Sequence, residues 1–231
     1  MSVVPMEFDL ARDQGVRALN SWLHQNAGPR PPSVRVLNPD GAHNIAVGAN
    51  APFDVEVRGH AGYYVGGMNQ LARITVHGNA GTGAAENMMS GEVRIKGFAS
   101  NGAGASAHGG LLVIEGDASL RCGISLKGGD IVVGGSVGSF SAFMAQAGRL
   151  VICGDAGDAL GDSLYEAVIY VKGKVASLGA DARFEPLGDA DFEALATLLE
   201  RAGLAHEPHL FRKVASARSL YHWNADANQE Y

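Results

Sequence analysis

The chain has 231 residues, of which 46% are hydrophobic and 18% charged, a composition typical of an ordered soluble protein and not of a disordered one. Its net charge of −6 and the lack of a dense Lys/Arg run argue against nucleic acid or an anionic membrane as a partner. No stretch approaches the roughly 20 apolar residues of a membrane span, no signal peptide is evident, and the only two cysteines form no CxxC pair, so we expect a cytoplasmic protein with free thiols.

The first predicted element is an N-terminal helix over residues 9–27. Asp9 is the expected cap, apolar side chains recur near one face, and Gly28 with Pro29 is expected to stop the helix. A short linker follows, so residues 1–33 are predicted to form a helix and linker that precede the main domain.

The main domain is marked by glycines that recur every nineteen residues: Gly59, Gly78, Gly97, Gly116, Gly135, Gly154 and Gly173. A fixed period of this length is the signature of a repeat architecture, in which each unit buries its face against its neighbours. The repeat also warns against interpreting the abundant glycine as nucleotide-binding loops.

Each unit contains a strand that ends just before its glycine. The position two residues before the glycine is β-branched in all seven units: Val57, Val76, Ile95, Ile114, Val133, Ile152 and Val171. The position four residues before it is always apolar, whereas the position between them varies. This period-two alternation predicts a strand of about five residues with one face inside and one outside.

Small residues occupy further fixed positions, as expected where a chain turns sharply or crosses a narrow interior. Nineteen residues are too few for a strand, a crossover helix and a return strand. They suffice for one circuit of a parallel β-helix with two or three short strands. We therefore predict an all-β fold over residues 34–185: a parallel β-helix of about seven 19-residue coils.

The C-terminal residues 186–231 are predicted to hold a second helix and a tail. Asp189 is the expected cap and Gly203 the expected end of this helix. Because the ends of a β-helix expose unpaired strands, we expect both flanking helices to cover the ends or the neighbouring faces. The tail contains aromatic and basic residues, and its aromatic side chains are costly to leave in water, so we expect it to lie on the chain's own body or to dock a partner. The candidate docking residues are Phe211, Arg212, Arg218, Tyr221, His222 and Trp223.

A search for catalytic chemistry gives only weak candidates. The segment Gly102–Ala107 lacks the last glycine of a dinucleotide fingerprint, and no histidine or cysteine cluster has metal-ligand spacing. Cys122 follows Arg121, which would lower the thiol pKa, and Cys153 occupies an outward position. Asp155, Asp158 and Asp162 fall at turns. We expect no catalytic, cofactor-binding or metal-ligating residue on this chain.

The glycine pattern resembles a known family. Two coils carry GxxGxxxG, at Gly59, Gly62 and Gly66 and at Gly154, Gly157 and Gly161. This is similar to the GXGXG domain that is found in the glutamate synthase large subunit and in one of the subunits of formylmethanofuran dehydrogenase. That resemblance implies a right-handed β-helix.

With both flanks, the chain most resembles the stand-alone GXGXG subunit of N-methylglutamate synthase (methylamine–glutamate N-methyltransferase) and the related GlxC proteins. This resemblance rests on the segment Arg58–Met68 and on three short segments of the tail: Phe211-Arg212, Ser216–Arg218 and Leu220–His222. It implies a non-catalytic scaffold of a methylamine-metabolising transferase, which docks a glutamine-amidotransferase-like subunit and an FMN-barrel subunit. FMN, with an iron–sulfur cluster as a further candidate, is then expected on the flavoprotein partner.

Two alternatives remain open at the level of the sequence. One is a scaffold of the formylmethanofuran dehydrogenase type in one-carbon metabolism. The other is an independent carbohydrate-active enzyme, because β-helical enzymes of that class use clustered carboxylates on their outer face.

Overall fold

The computed structural model describes residues 5–12 and 15–218 and confirms the predicted parallel β-helix with two flanking helices. Within these residues eleven strands form one sheet, in the order β1 to β9, then β11, then β10. The strands are β1 (Met6–Asp9), β2 (Val34–Leu37), β3 (Asp54–Arg58), β4 (Arg73–Val76), β5 (Glu92–Ile95), β6 (Leu111–Ile114), β7 (Lys127–Val133), β8 (Ala147–Ile152), β9 (Val168–Val171), β10 (Ala182–Glu185) and β11 (Arg212–Ser216).

Strand register follows the nineteen-residue period. Val55 pairs with Ile74, and Ile74 pairs with Val93. The same step continues to β9, so the predicted inward positions stack above one another and are fully buried. The repeat therefore builds one continuous core along the axis.

Among the described residues, the coils that follow the repeat glycines hold one strand each and single-residue bridges, not the two or three strands that we expected. The bridges join equivalent small residues, as in Ala61 to Ala80. Beyond the bridge, Tyr64, Gly66 and Met68 have φ angles of 62°, 64° and 53°, a left-handed conformation that strands do not adopt. Because this conformation recurs at alternate residues in the later coils, no second strand forms.

The repeat glycines are required because successive coils approach closely. A Cβ atom on Gly154 would lie 2.6 Å from the carbonyl carbon of Gly135 in the preceding coil. Of the seven, only Gly59 has a positive φ. The close approach of stacked coils, more than any turn conformation, therefore explains why glycine recurs every nineteen residues.

The first helix, α1 (Gly15–Gln25), is shorter than predicted, and the expected cap at Asp9 is wrong. Asp9 instead ends β1, which pairs in parallel with β2, and its carboxylate accepts hydrogen bonds from the Ala11 amide and the Asn38 side chain. Apolar and acidic residues alternate over Met6–Asp9, but four residues are too few for this pattern to predict a strand.

Helix α1 covers the N-terminal end of the β-helix, which confirms the expected covering role. Leu19 and Leu23 are fully buried in the main core. Asn20 donates to the Asn44 carbonyl and accepts from the Ala46 amide, so it pairs backbone groups of the first coil. The open end is thereby closed by both apolar and polar contacts.

The second helix, α2 (Asp189–Ala202), covers a flanking face. Gly188, not Asp189, is its N-cap, whereas Gly203 ends it in the left-handed conformation as predicted, with φ 72°. Leu195, Leu198 and Leu199 pack on outward side chains of β6 to β9, which are apolar in these strands. The fourteen residues of α2 span about 21 Å along the helix axis. This length is close to the roughly 19 Å that separates β5 from β9 across four strand spacings.

Candidate interaction surfaces

The predicted influence of Arg121 on Cys122 is wrong. Cys122 points into the core, where burial raises its thiol pKa to about 12, while Arg121 is exposed. Cys153 does face outward, but α2 covers it, and burial raises its pKa to about 11 against the opposing charge of Lys172. Neither thiol has the low pKa and accessibility of a nucleophile.

The glycine-rich segment Gly102–Ala107 has its amides engaged. The Gly102 amide bonds the Leu120 carbonyl of the next coil, and the Gly104 amide bonds the Ala84 carbonyl of the preceding one. The amides of Ala105, Ser106 and Ala107 also have backbone acceptors. A phosphate-binding loop needs amides that point at the ligand, so this arrangement does not provide one.

The turn aspartates link successive coils. Asp155 accepts from the Lys174 amide at 2.7 Å, and Asp158 accepts from the Ser177 hydroxyl at 2.9 Å. Asp162 accepts from the adjacent Ser163 hydroxyl and from the Ala180 amide of the next coil. These partners assign the carboxylates to turn and stacking geometry, as the turn interpretation predicts.

Among the described residues, no group of three or more His, Cys, Asp or Glu side chains could hold a metal ion. His206 lies 3.3 Å from the Lys172 ammonium, and burial together with that charge lowers the His206 pKa. Over the same part of the chain, no helix is long and apolar enough to cross a membrane.

The structure places part of the predicted docking tail on the chain's own body. Strand β11 is antiparallel to both β9 and β10. Phe211 is buried beneath α2, Arg212 donates to the Gly173 carbonyl and stacks over Phe184, and Arg218 pairs with Asp181. The predicted docking residues Tyr221, His222 and Trp223 lie outside the described residues.

One exposed apolar surface was missed by the sequence analysis. We call it the turn face: the residues four to nine positions after each repeat glycine, on the left-handed segment of the coils. Six of its side chains, 42% to 51% exposed, are Tyr63, Tyr64, Met68, Leu120, Phe140 and Met144. Only their recurrence at equivalent coil positions could have signalled this surface.

The turn face is not flat. Beside Tyr64 and Met68 a cavity of about 310 Å³ opens, bordered also by Asn44, Glu86 and Asn87. Tyr63 stacks on His43 with ring centroids 4.4 Å apart, and His43 in turn accepts from the Tyr63 amide. These contacts hold an exposed aromatic ring in place at one end of the face.

Comparison with known proteins finds a curated relative and similarity to solved structures. The chain is 54% identical over 218 residues to protein GlxC of Rhizobium meliloti (strain 1021), which covers 94% of this chain and 96% of GlxC. No family model matches the sequence. The match to GlxC supports part of the predicted resemblance, while membership of the GXGXG domain family stays a prediction.

One structural relative is a chain of the formyltransferase/hydrolase complex FhcABCD from Methylorubrum extorquens, whose structure was determined with methylofuran. The TM-score is 0.65 at 23% identity, over 94% of this chain and 93% of that chain. At this identity the likeness shows the fold. The extent and level of identity with the Rhizobium protein show more: the chain belongs to the GlxC family.

Proposed function

We propose that this chain is the non-catalytic β-helical subunit of a glutamate-synthase-like complex, an N-methylglutamate synthase that converts methylamine and L-glutamate into N-methyl-L-glutamate and ammonia. In this proposal the chain docks a glutamine-amidotransferase-like subunit and an FMN-barrel subunit. FMN, and any iron–sulfur cluster, belong to the flavoprotein.

The observation that carries the proposal is the near full-length relationship with GlxC. The sequence resemblance that predicts the activity runs through the GlxC proteins and the stand-alone GXGXG subunit of N-methylglutamate synthase. The relationship covers 94% of this chain, so it extends beyond the β-helix into both flanking segments.

The site chemistry agrees with a scaffold role. The thiols are buried with raised pKa values, and the turn carboxylates bind neighbouring coils. Exposed aromatic and methionine side chains instead favour protein contacts, since such residues are enriched in interface cores. These features weaken the alternative of a carbohydrate-active enzyme.

Co-expression tests the proposal directly. We would express this chain with the amidotransferase-like and FMN-barrel subunits of the same genome and assay N-methylglutamate formation. We expect a yellow ternary complex whose activity is lost when any one subunit is omitted. Full activity of the two partners alone, or failure of this chain to associate with them, would contradict the proposal.

A second candidate is a scaffold in one-carbon formyl transfer. The observation that favours it is the structural likeness to a chain of FhcABCD, which extends over both flanks of this chain. Parallel co-expression with formyltransferase/hydrolase subunits separates the two candidates, because each predicts association with one partner set only.

A further inference from the structure

We propose that two copies of this chain pair through the free edge of β10, in an antiparallel arrangement around a two-fold axis at Phe184. The inference goes beyond the proposed function and does not rest on it. It assigns the C-terminal end of the β-helix to a contact between copies.

The two ends of the sheet differ in how they are covered. Strands β1 and β10 are the edge strands of the described sheet. Helix α1 covers the N-terminal end, whereas α2 lies on a flanking face. Within the described residues, no strand pairs with the outer edge of β10. An unpaired edge of this kind is a template for a strand of another chain.

The backbone geometry of β10 shows which groups point out of that edge. The strand is antiparallel to β11. The Ala217 amide donates to the Asp181 carbonyl at 2.7 Å, and hydrogen-bonded and non-hydrogen-bonded pairs alternate along an antiparallel ladder. Arg183 and Glu185 therefore direct their backbone groups toward β11, whereas the amide and carbonyl of Phe184 face the free edge.

The charges on β10 are complementary to those of a second copy. Antiparallel pairing centred on Phe184 places Arg183 of each copy directly opposite Glu185 of the other. These are non-hydrogen-bonded positions, where facing side chains come closest. Within one chain Arg183 already donates to Glu185 at 2.7 Å, and its side chain remains 57% exposed. Pairing therefore creates a cluster of four alternating charges, and opposite charges across a strand pair are favourable.

The alternation of charge also selects this register and this edge. Pairing centred on Arg183 or on Glu185 would set two like charges face to face, which is unfavourable. Edge strand β1 carries two acidic residues, Glu7 and Asp9, at the corresponding spacing around Phe8. Antiparallel pairing of two copies of β1 around Phe8 would therefore oppose like charges, so only β10 is complementary to itself.

Phe184 supplies the apolar part of the contact. Its ring is 44% exposed, and the Arg212 guanidinium lies over it, 4.7 Å from the ring centroid. Arg212 also donates to the Gly173 carbonyl, so the ring is held in place. In the proposed pairing the two Phe184 residues lie directly opposite, with Cα atoms about 5.5 Å apart, and exchange two backbone hydrogen bonds. An aromatic pair across two strands adds to the pairing of charges.

The charges allow a test in which two variants control each other. Arg183→Glu alone and Glu185→Arg alone oppose like charges between identical copies, whereas a copy of one variant is complementary to a copy of the other. We expect the full-length wild type to sediment as a dimer at about 50 μM, and each single variant to dimerise at least tenfold more weakly. We expect the equimolar mixture of the two variants to regain dimers.

The double variant Arg183→Glu/Glu185→Arg keeps the test decisive if a single variant fails to fold, as judged by circular dichroism. It restores opposite charges both within the strand and between copies. We expect it to dimerise like the wild type, and a monomeric, folded double variant would contradict the pairing.

A disulfide checks the register. A separation of about 5.5 Å between Cα atoms lies within the roughly 4.4–6.8 Å that a disulfide spans. We therefore expect Phe184→Cys to form a disulfide between two copies on mild oxidation. Phe140→Cys is the matched control, because Phe140 on the turn face is equally exposed, and both native cysteines are buried.

Each other outcome overturns the inference in its own way. A monomeric wild type does so, as does a dimer that both single variants leave intact, or a mixture that stays monomeric. Dimers that appear only after deletion of residues 219–231 would show that the chain's own tail occupies the edge. Growth into longer species would indicate head-to-tail pairing of β10 with β1.

The same measurement on the assembled complex identifies the remaining occupant. Native mass spectrometry should find an even number of copies of this chain, and a single copy would mean that a partner subunit takes the edge. Failure to associate with the proposed partners contradicts the proposed function, but it leaves the dimer of the isolated chain as a separate result.

Discussion

The guanidinium group of Arg94 donates hydrogen bonds to the carbonyl oxygen of Ala202 at 2.8 Å, and also to that of Arg201 at 3.0 Å. Strand β5 thereby binds the C-terminal end of α2, more than one hundred residues later in the chain. A cation at this end satisfies carbonyls that lack partners within the helix and complements the helix dipole.

We predict that Arg94→Ala lowers the free energy of unfolding by about 1.5–3 kcal/mol, because hydrogen bonds from a charged group are lost. The Arg94 side chain is only 16% exposed, so water replaces these bonds poorly. Urea denaturation measures the loss. Arg73→Ala is the control, since Arg73 is an exposed arginine on the preceding strand, and an equal loss in both variants would contradict the prediction.

The stacking of the repeat glycines predicts a steric effect. Gly154→Ala places a methyl group within 3 Å of the Gly135 backbone, so we expect a loss of about 1–3 kcal/mol in unfolding free energy. Gly28→Ala is the matched control, because a Cβ atom there meets nothing within 4 Å and φ is not positive. Thermal denaturation of both variants checks this; equal melting temperatures would show that the coils separate at little cost.

Burial of the two thiols predicts slow reaction with a disulfide reagent. At pH 8 the native protein should leave Cys122 and Cys153 unmodified, and both should react at once in guanidinium chloride. Absorbance of the released thiolate measures the difference. Rapid native labelling of Cys153 would mean that α2 detaches readily from the sheet.

The same thiols predict how stability depends on alkaline pH. Their pKa rises from an ordinary value of 9.0 to about 12 and 11 in the folded state. Burial, followed by the hydrogen bond and negative charge of Asp191, likewise raises the Tyr170 pKa above 10.0. Unfolding therefore releases protons above about pH 9, and stability should fall there by up to about 1.4 kcal/mol per pH unit for each group. Cys122→Ala should show a shallower slope, and identical slopes would contradict the assignment.

The Asp191 carboxylate predicts how stability depends on acidic pH. Its burial works to raise the pKa, but hydrogen bonds from the Gly188 amide, the Tyr170 hydroxyl and the Lys213 ammonium together lower it below 3.8. A lowered folded-state pKa adds stability above the unfolded value and loses it as pH falls through the folded value. We expect wild-type stability to fall more steeply below pH 4 than that of Asp191→Asn, as measured by urea denaturation between pH 2 and 6. Parallel curves would contradict this role.

The sequence by itself determined the β-helix and its period. Stacking places like residues on like, so β-branched columns and glycines recur at fixed spacing and remain visible in the linear chain, as at Val57 and Gly59. The end of α2 at Gly203 is local chemistry of the same kind, because only a left-handed residue suits that position.

Only the tertiary structure decided which outward columns are covered. Cys153 and Val113 read as outward residues, and they are buried because a helix from the C-terminal segment lies over them. Strands β1 and β11 likewise form because they pair with strands that are distant in the sequence. The residues of such short segments do not determine a strand by themselves. The exposed side chains of the turn face come from several coils that lie nineteen or more residues apart in the sequence, and the stacking of coils brings them onto one surface.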